Sequence, residues 1–456
     1  MPAVLLAKSR GDGDISMIAF QTLLLGLVFG VQPVRLMAAP QVKSVEVRLD
    51  GTTIGVLAAE PWTLHCDFGE FPHPHELAAI ARDGSGTEIG RARQWVNMPR
   101  PAAEVTLLLE RDPQAKQVVA ARLAWNEAKA TSPTTVRVTL DGKEIAIRSP
   151  RRFELPVIDP ARVHILSAEI AFAEGRTARV DAVFGGDLGE EAQSQLTAVP
   201  LVLEPGTRLP AMPELQTWFR DGDLPLHVLG VEEGPFDVVL VVDQEARTIL
   251  AKEHGAKGGG AVFFGREVLP PQQLVFDPAG RDDDRLYVTF GVPELFYGED
   301  ASAHVVFPAY APMEFVTSKL RARLANLVYA SGVLGTPDLA GAVASTGALA
   351  AASNRPRAVV LLLAGSPAGA GAISPAAARA YLEDMHVPLF VWSLTGAGEA
   401  GGWGAATDVS TAARLDRAAG HLKELLAVQR VVWLEGAHLP QRIWLAEGVR
   451  GVHLAS

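Results

Sequence analysis

The sequence predicts a multidomain chain: two β-sandwich domains followed by a doubly wound α/β domain. Three observations predict it. At 456 residues the chain is too long for one ordinary domain and suffices for about three of roughly 150 residues each. Between residues 44 and 190, short segments alternate apolar and polar positions and are punctuated by turns such as Asp50-Gly51 and Asp83-Gly84, the pattern of half-buried antiparallel strands. From residue 236 the pattern changes to continuous apolar runs separated by helical stretches. The first run, FDVVLVVD at 236–243, reads as a strand covered on both faces, as in a parallel sheet, and it ends in the carboxylate of Asp243.

Charge and cysteine usage narrow the function classes. A net charge of -11 and a pI near 5.5 argue against a nucleic-acid or anionic-membrane binder, which needs basic patches. Cys66 is the sole cysteine, so an intrachain disulfide and an all-cysteine metal site are both excluded. Residues 15–34 are uncharged and strongly apolar, with Lys8 and Arg10 before them and small residues at 37–40 after them. Residues 1–40 are therefore read as a signal peptide, cleaved after Ala38 or Ala39, or as an N-terminal anchor, with Met17 as an alternative start. The competing reading is a buried helix. The expected location is exported, periplasmic or extracellular, with membrane contact only through a retained leader; lack of disulfides in such a chain fits a bacterial origin.

The elements follow in order. Residues 41–98 form the first sandwich, built from SVEVRLD, TIGVLAA, WTLHCDF, HELAAIARD and EIGRARQWVN. Residues 99–190 form the second, from AEVTLLLE, QVVAARLAW, VRVTLDGKEIAI, RRFELPV, RVHILSAEIAF and RTARVDAVF. VEVRLDGTTIGV at 45–56 and VRVTLDGKEIAI at 136–147 share Val, Val, Leu, Asp, Gly and Ile at the same spacing, so the opening hairpin is used twice. Residues 191–234, rich in Pro and Gly, are read as a connector. Residues 235–396 carry the α/β domain, with further buried strands in DRLYVTFGV, AVVLLLA and PLFVWSL. Helix starts are expected at Thr336-Pro337 and Ser374-Pro375, where a hydroxyl precedes a Pro at the first helical position. A helical face is expected from Val316, Leu320, Leu324 and Leu327. Residues 397–456 are a C-terminal helix and strand extension.

Two resemblances attach to these residues. Val45, Val47, Leu49, Asp50 and Gly51, then Pro61-Trp62, then His75-Glu76-Leu77 and Asp83, resemble bacterial immunoglobulin-like modules. The order strand-Asp, helix with LGTPDL, strand, helix, strand over 236–396 resembles the von Willebrand factor type A fold, a Rossmann-like arrangement, in its secreted bacterial form. That family implies a Mg²⁺ site made from an Asp-x-Ser-x-Ser run, a Thr from a later loop and an Asp after the fourth strand, several oxygens around a hard cation.

This chain departs from that set. Asp243 matches, Glu245 and Arg247 stand where the serines would be, Thr336 matches the threonine, and Ala364 falls where the later Asp is expected. The resemblance therefore implies a degenerate metal-dependent adhesion site, with Asp243, Glu245 and Thr336 as remnants, no metal and no cofactor. Arg247 is expected to neutralise Asp243 or to point to solvent; the alternatives are Mg²⁺ or Ca²⁺ on an altered set including Asp243, Glu245 and Thr248. Thr336 also reads as a helix N-cap. Trp392 and Trp433 are expected in cores and Trp403, in a glycine-rich loop, as an exposed contact. His65, His73 and His75 with Cys66 are the densest metal-capable set, read also as loop and core residues. No phosphate loop, kinase set or nucleophile elbow is found, and Asp282 to Asp284 read as a solvated turn. The expected function is a non-enzymatic, protein-binding or scaffolding role for an unknown protein partner, with Asp243, Arg247, Thr336 and Trp403 as surface candidates. The rivals are a metal-dependent adhesion module and an exported hydrolase using the histidines.

Overall fold

A computed structural model describes residues 18–98, 103–111, 118–127, 133–147, 152–159, 162–171, 177–185, 196–255, 283–297, 303–325, 333–365 and 371–456, apart from positions 23, 25, 308, 310, 311, 319, 335 and 354. Mostly β structure in several sheets, it includes β-sandwich modules. In the first, the strands Thr52–Leu57, Ser44–Leu49, His75–Arg82 and Glu88–Val96 pair antiparallel in that order. The facing sheet holds Ile18–Phe20, Val31–Ala38 and Thr63–Asp67. Part of the stretch read from the sequence as a leader or anchor, residues 18–38, thus holds two strands of this sheet. Within Val31–Ala38, Val34 and Leu36 point into the core, where Leu36 is 5% exposed, while Val31 and Met37 face out at 61% and 56%. Period-two alternation, carried inside a stretch of high mean hydropathy, makes it a sandwich strand. Cleavage after Ala38 or Ala39 would strip the Thr63–Asp67 strand of its partner and uncover Val45, Cys66 and Phe68.

The second sandwich pairs Lys143–Glu144, Thr135–Leu140, Val163–Ala171 and Thr177–Gly185 in one sheet and Phe153–Glu154, Val118–Glu127 and Ala103–Arg111 in the other. The repeated hairpin is the same device twice. Asp50-Gly51 have φ of 52° and 81°, Asp141-Gly142 of 51° and 76°, the left-handed pair that a tight hairpin turn requires. Each Asp then reaches across to the neighbouring strand. Asp50 Oδ1 accepts from the Glu76 amide at 2.8 Å and Asp50 Oδ2 lies 2.7 Å from His75 Nδ1. Asp141 Oδ1 accepts from the Ile165 amide at 2.9 Å and its Oδ2 lies 2.8 Å from His164 Nδ1.

From Asp237 a seven-stranded sheet runs in the order Met313–Glu314, Arg285–Phe290, Asp237–Val242, Arg357–Leu363, Leu389–Ser393, Ala405–Asp408, Gly398–Glu399. The five strands from Arg285–Phe290 to Ala405–Asp408 are parallel to one another, and the two edge strands are antiparallel to their neighbours. All six residues of Asp237–Val242 are buried, because both faces are covered. Val238, Leu240 and Val242 pack against residues of the helices Gln244–Gly255, Leu320–Ala325 and Ala412–Ala427. Val239 and Val241 pack on the other face against Leu339–Ala351 and Pro375–Asp384. Leu320 and Leu324 are buried as their spacing predicts, Val316 is half-buried, and Leu327 lies outside the described residues. The helix Ala412–Ala427 thus belongs to this layer, which extends past the predicted boundary at 396.

The remaining strands lie in the stretches read from the sequence as a connector, 191–234, and an extension, 397–456, and they pair with one another. Val228–Glu232, Gln429–Glu435, Leu196–Leu203 and Val452–Leu454 form one antiparallel sheet; Leu224–Pro225, Phe219–Asp221 and Ile443–Leu445 form a second. Val199, Leu201, Trp218, Phe219, Val432, Leu434 and Ile443 share the core between them. Chain on either side of the α/β layer therefore closes a third two-sheet module.

Candidate functional site

The strand order reverses beside Asp237–Val242: the chain leaves it to build one neighbour, Arg285–Phe290, and returns to build the other, Arg357–Leu363. Ligands of open parallel sheets lie in the crevice beyond the strand ends at such a reversal. Asp243 and Gly365 end these two central strands, and the Asp243 amide donates to the Leu362 carbonyl at 3.0 Å, holding the strand ends level.

The carboxylate of Asp243 turns into the start of its own helix. Asp243 Oδ2 accepts the amide of Glu245 at 3.1 Å, and its carbonyl accepts the amide of Arg247 at 2.9 Å. Burial pushes the Asp243 acid above its ordinary range, against the pull of the Ala246, Glu245 and Gln244 amides. Glu245 is exposed, and its carboxylate leans over the opposite strand end, where a Cβ on Gly365 would stand 3.1 Å from Glu245 Oε2. Gly365 has φ of 109°, a backbone that larger residues rarely adopt, so a substitution there is strained. The Arg247 guanidinium carbon lies 5.6 Å from the centroid of the Phe290 ring, at cation–π distance.

Thr336 is exposed on the loop before Leu339–Ala351, but it does not cap that helix. Asp338 does, accepting the Gly341 amide at 2.8 Å, so the expected Thr336 cap is corrected to Asp338. Thr336-Pro337-Asp338 holds two capping residues, and the helix begins after the second of them, at Leu339. The Asp338 amide donates to the Gly291 carbonyl at 2.8 Å, tying this loop to the end of Arg285–Phe290. Its carboxylate also fills the space where a side chain on Gly371 would lie. Sequence reasoning missed Asp338 and these rim glycines; the signal was an acid directly before a small-residue helical run.

Trp403 is not an exposed contact. It is 3% exposed in a short 3-10 turn, Gly401–Trp403, and packs in the core with Ala377, Tyr381 and Val391. Gly401 and Gly404 flank it with φ of 64° and 84°, the left-handed backbone that glycine adopts at low cost. Trp392 and Trp433 are buried as expected, and Cys66 is a core residue whose thiol burial pushes up to about 11.

The histidines divide among separate partners. His65 is exposed on Thr63–Asp67, His75 faces Asp50, and His73 Nδ1 lies 2.6 Å from Asp384 Oδ2. Among the described residues no three His, Cys, Asp or Glu side chains converge as metal ligands. Asp284 is held by Lys423 at 2.7 Å; Asp282 lies outside the described residues. A surface cleft of about 780 Å³ opens between Asp408, at the end of its strand, and Arg414, Arg417, His421 and Glu424 of the helix Ala412–Ala427.

No family model and no curated protein matches the chain. Solved structures with some likeness include the fibronectin(III)-like modules of Clostridium thermocellum CbhA, at 17% identity over 18% of this chain and 93% of that one, with a TM-score of 0.16. The central fibronectin-III array of RIM-binding protein matches at 13% identity over 48% of this chain and 77% of that one, with a TM-score of 0.20. A beta-glycosidase from Bacteroides vulgatus matches at 11% identity over 38% and 25%, with a TM-score of 0.20. The likeness is weak and falls on β-sandwich modules.

Proposed function

We propose that the chain is a non-catalytic protein-binding scaffold in which β-sandwiches carry a von Willebrand factor A-like α/β layer with a degenerate metal-dependent site. One observation supports this most: at the strand-order reversal, the Asp243 carboxylate is turned onto the Glu245 amide 3.1 Å away. A hard cation needs several oxygens free to converge on it. Here Asp243 and Asp338 each serve a helix start, and Arg247 adds a cation. The rim left for a partner holds Thr336, Glu245 and the two strand ends at Asp243 and Gly365.

Titration calorimetry with Mg²⁺ and Mn²⁺ tests the reading. Weak or undetectable heat is expected; stoichiometric binding abolished by Asp243→Ala overturns it. Affinity capture with the whole chain and with Thr336→Arg, which crowds the rim without touching a core, is expected to lose the partner in the variant. Equal capture by both places the contact elsewhere.

No described helix is long and apolar enough to cross a membrane. We propose further that residues 18–38 stay in the mature protein, since they are strands of the first sandwich. N-terminal sequencing of the protein from its native compartment checks this: a mature chain beginning at Ala39 or Pro40 overturns it.

A further inference from the structure

Gly26-Leu27-Val28-Phe29-Gly30 connects the first two strands of the first sandwich and belongs to neither. Its side chains divide between two cores. Val28 is 7% exposed within the core of the sandwich, whereas Leu27 and Phe29 pack against the core that the helices Leu339–Ala351 and Pro375–Asp384 build on the parallel sheet. Phe71 and Met98 of the sandwich join them there. A glycine stands at each end of the segment, Gly26 with φ of 73° and Gly30 with φ of 65°, the left-handed backbone by which the chain turns into this contact and out of it. Gly30 is also tied down, its amide donating to the Gly69 carbonyl at 2.6 Å and its carbonyl accepting the Phe68 amide at 3.0 Å.

One buried side chain fastens this segment. Asn97 Oδ1 accepts the Val28 amide at 2.6 Å, and the two hydrogens of its Nδ2 go to the Val28 and His73 carbonyls, each at 2.7 Å. Val28 thus receives from a side chain both of the bonds that a neighbouring strand would give it. Asn97 has φ of 55°, a left-handed conformation that asparagine tolerates better than most residues, and its own carbonyl accepts the Tyr381 hydroxyl at 2.7 Å. Tyr381 lies fully buried on the helix Pro375–Asp384. A continuous path of buried hydrogen bonds therefore runs from Val28 through Asn97 to the α/β layer, and a group left unpaired on such a path carries its full desolvation cost. Two further polar contacts hold the same end of the sandwich, His73 Nδ1 to Asp384 Oδ2 at 2.6 Å and Gln441 Nε2 to the Pro74 carbonyl at 2.7 Å. His73 is 41% exposed, so solvent screens the first of these.

We propose that Gly26 to Gly30 is a strap that locks the first sandwich onto the helix face of the α/β layer, with Asn97 and Tyr381 as its fastening, and that opening the strap frees the sandwich while both modules stay folded. The sandwich is then a fixed platform of the layer and not a bead on a linker. The strap also gives the apolarity of this stretch a second cause. A segment that must satisfy two cores at once carries apolar side chains on both sides, here Val28 on one and Leu27 and Phe29 on the other.

The test uses the full chain with Leu27→Asp and Phe29→Asp together, which places two charges against the α/β core and leaves Val28 in the sandwich core. Val31→Asp, at a neighbouring position that is 61% exposed, is the control. Small-angle scattering and far-UV circular dichroism are recorded on all three chains. The double variant is expected to show a larger radius of gyration with an unchanged dichroism signal, and the control to scatter as wild type does. Unchanged scattering in the double variant, equal expansion in the control, or expansion with loss of the dichroism signal overturns the proposal. Tyr381→Phe, which removes one hydroxyl from the fastening, decides independently should the double variant fail to fold. Hydrogen exchange of the Val28 amide is expected to quicken about two- to tenfold in that variant, while amides of the strands Ser44–Leu49 and His75–Arg82 keep their wild-type rates. No change at Val28, or the same rise in those strands, overturns it.

Discussion

His164 shows how one side chain reports its surroundings. Its two ring nitrogens both face acceptors, Asp141 Oδ2 at 2.8 Å and the Asp159 carbonyl at 2.8 Å, so only the protonated ring satisfies both. Burial alone would lower its pKa, but the Asp141 and Asp159 bonds outweigh burial and raise it above 6.5. A raised histidine adds stability that is fully present below pH 6.5 and is lost as pH rises through its folded value. His164→Ala should therefore cost more at pH 5.5 than at pH 9, measured by urea unfolding at both; equal costs would refute the charged-ring account. Asp338 yields a second expectation at this scale. Losing its cap in Asp338→Ala should cost about 1 kcal/mol. Gly371→Val, which drives a side chain into the Asp338 carboxylate, should destabilise the loop even with the cap residue present, seen as faster proteolysis near residue 371.

At the scale of elements, most strands were legible because their signal is local. Alternation in 163–171 and continuous burial in 357–363 follow from side-chain direction along an extended chain. The Ser374 cap was legible for the same reason, since its side chain accepts from Ala377 three residues on, at 3.1 Å. In Val31–Ala38 two local signals conflict: overall apolarity suggests a leader, and alternation suggests a strand. Arg35, exposed between buried Val34 and Leu36, carries the alternation. The substitution pair Leu36→Ala and Met37→Ala separates the two readings. The first empties a packed core site and should cost about 2–4 kcal/mol, and the second should stay within about 0.5 kcal/mol. Thermal unfolding of both chains measures the difference; equal, negligible shifts would mean that the strand does not contribute to the sandwich. Trp403 failed for a different reason, as the return of a glycine-rich loop onto a sheet depends on partners such as Ala377 and Val391 rather than on its own residues.

The whole molecule has one feature that no local pattern reveals, the third module split by the α/β layer. Leu196–Leu203 and Val228–Glu232 do not pair with each other; each lies beside Gln429–Glu435, which arrives some two hundred residues later. Their apolar faces look like loose ends until that strand is placed between them. Insertion of this kind is tolerated because loop-closure entropy grows only slowly with length, and the inserted layer supplies its own two cores. It follows that the C-terminal segment stabilises residues far upstream. A chain ending at residue 428 keeps every strand of the seven-stranded sheet and the helix Ala412–Ala427, yet it loses the central strand of the third module and the strands Ile443–Leu445 and Val452–Leu454. Val199, Leu201 and Phe219 are then uncovered. Limited proteolysis of this truncated chain should cut first between residues 196 and 235 while 237–427 persists as a protected fragment. If 191–234 were a connector merely lying across the domains, its cutting rate would be the same in both chains. A rise specific to the truncated chain, with dye binding to newly exposed apolar surface, identifies the two distant segments as halves of one core.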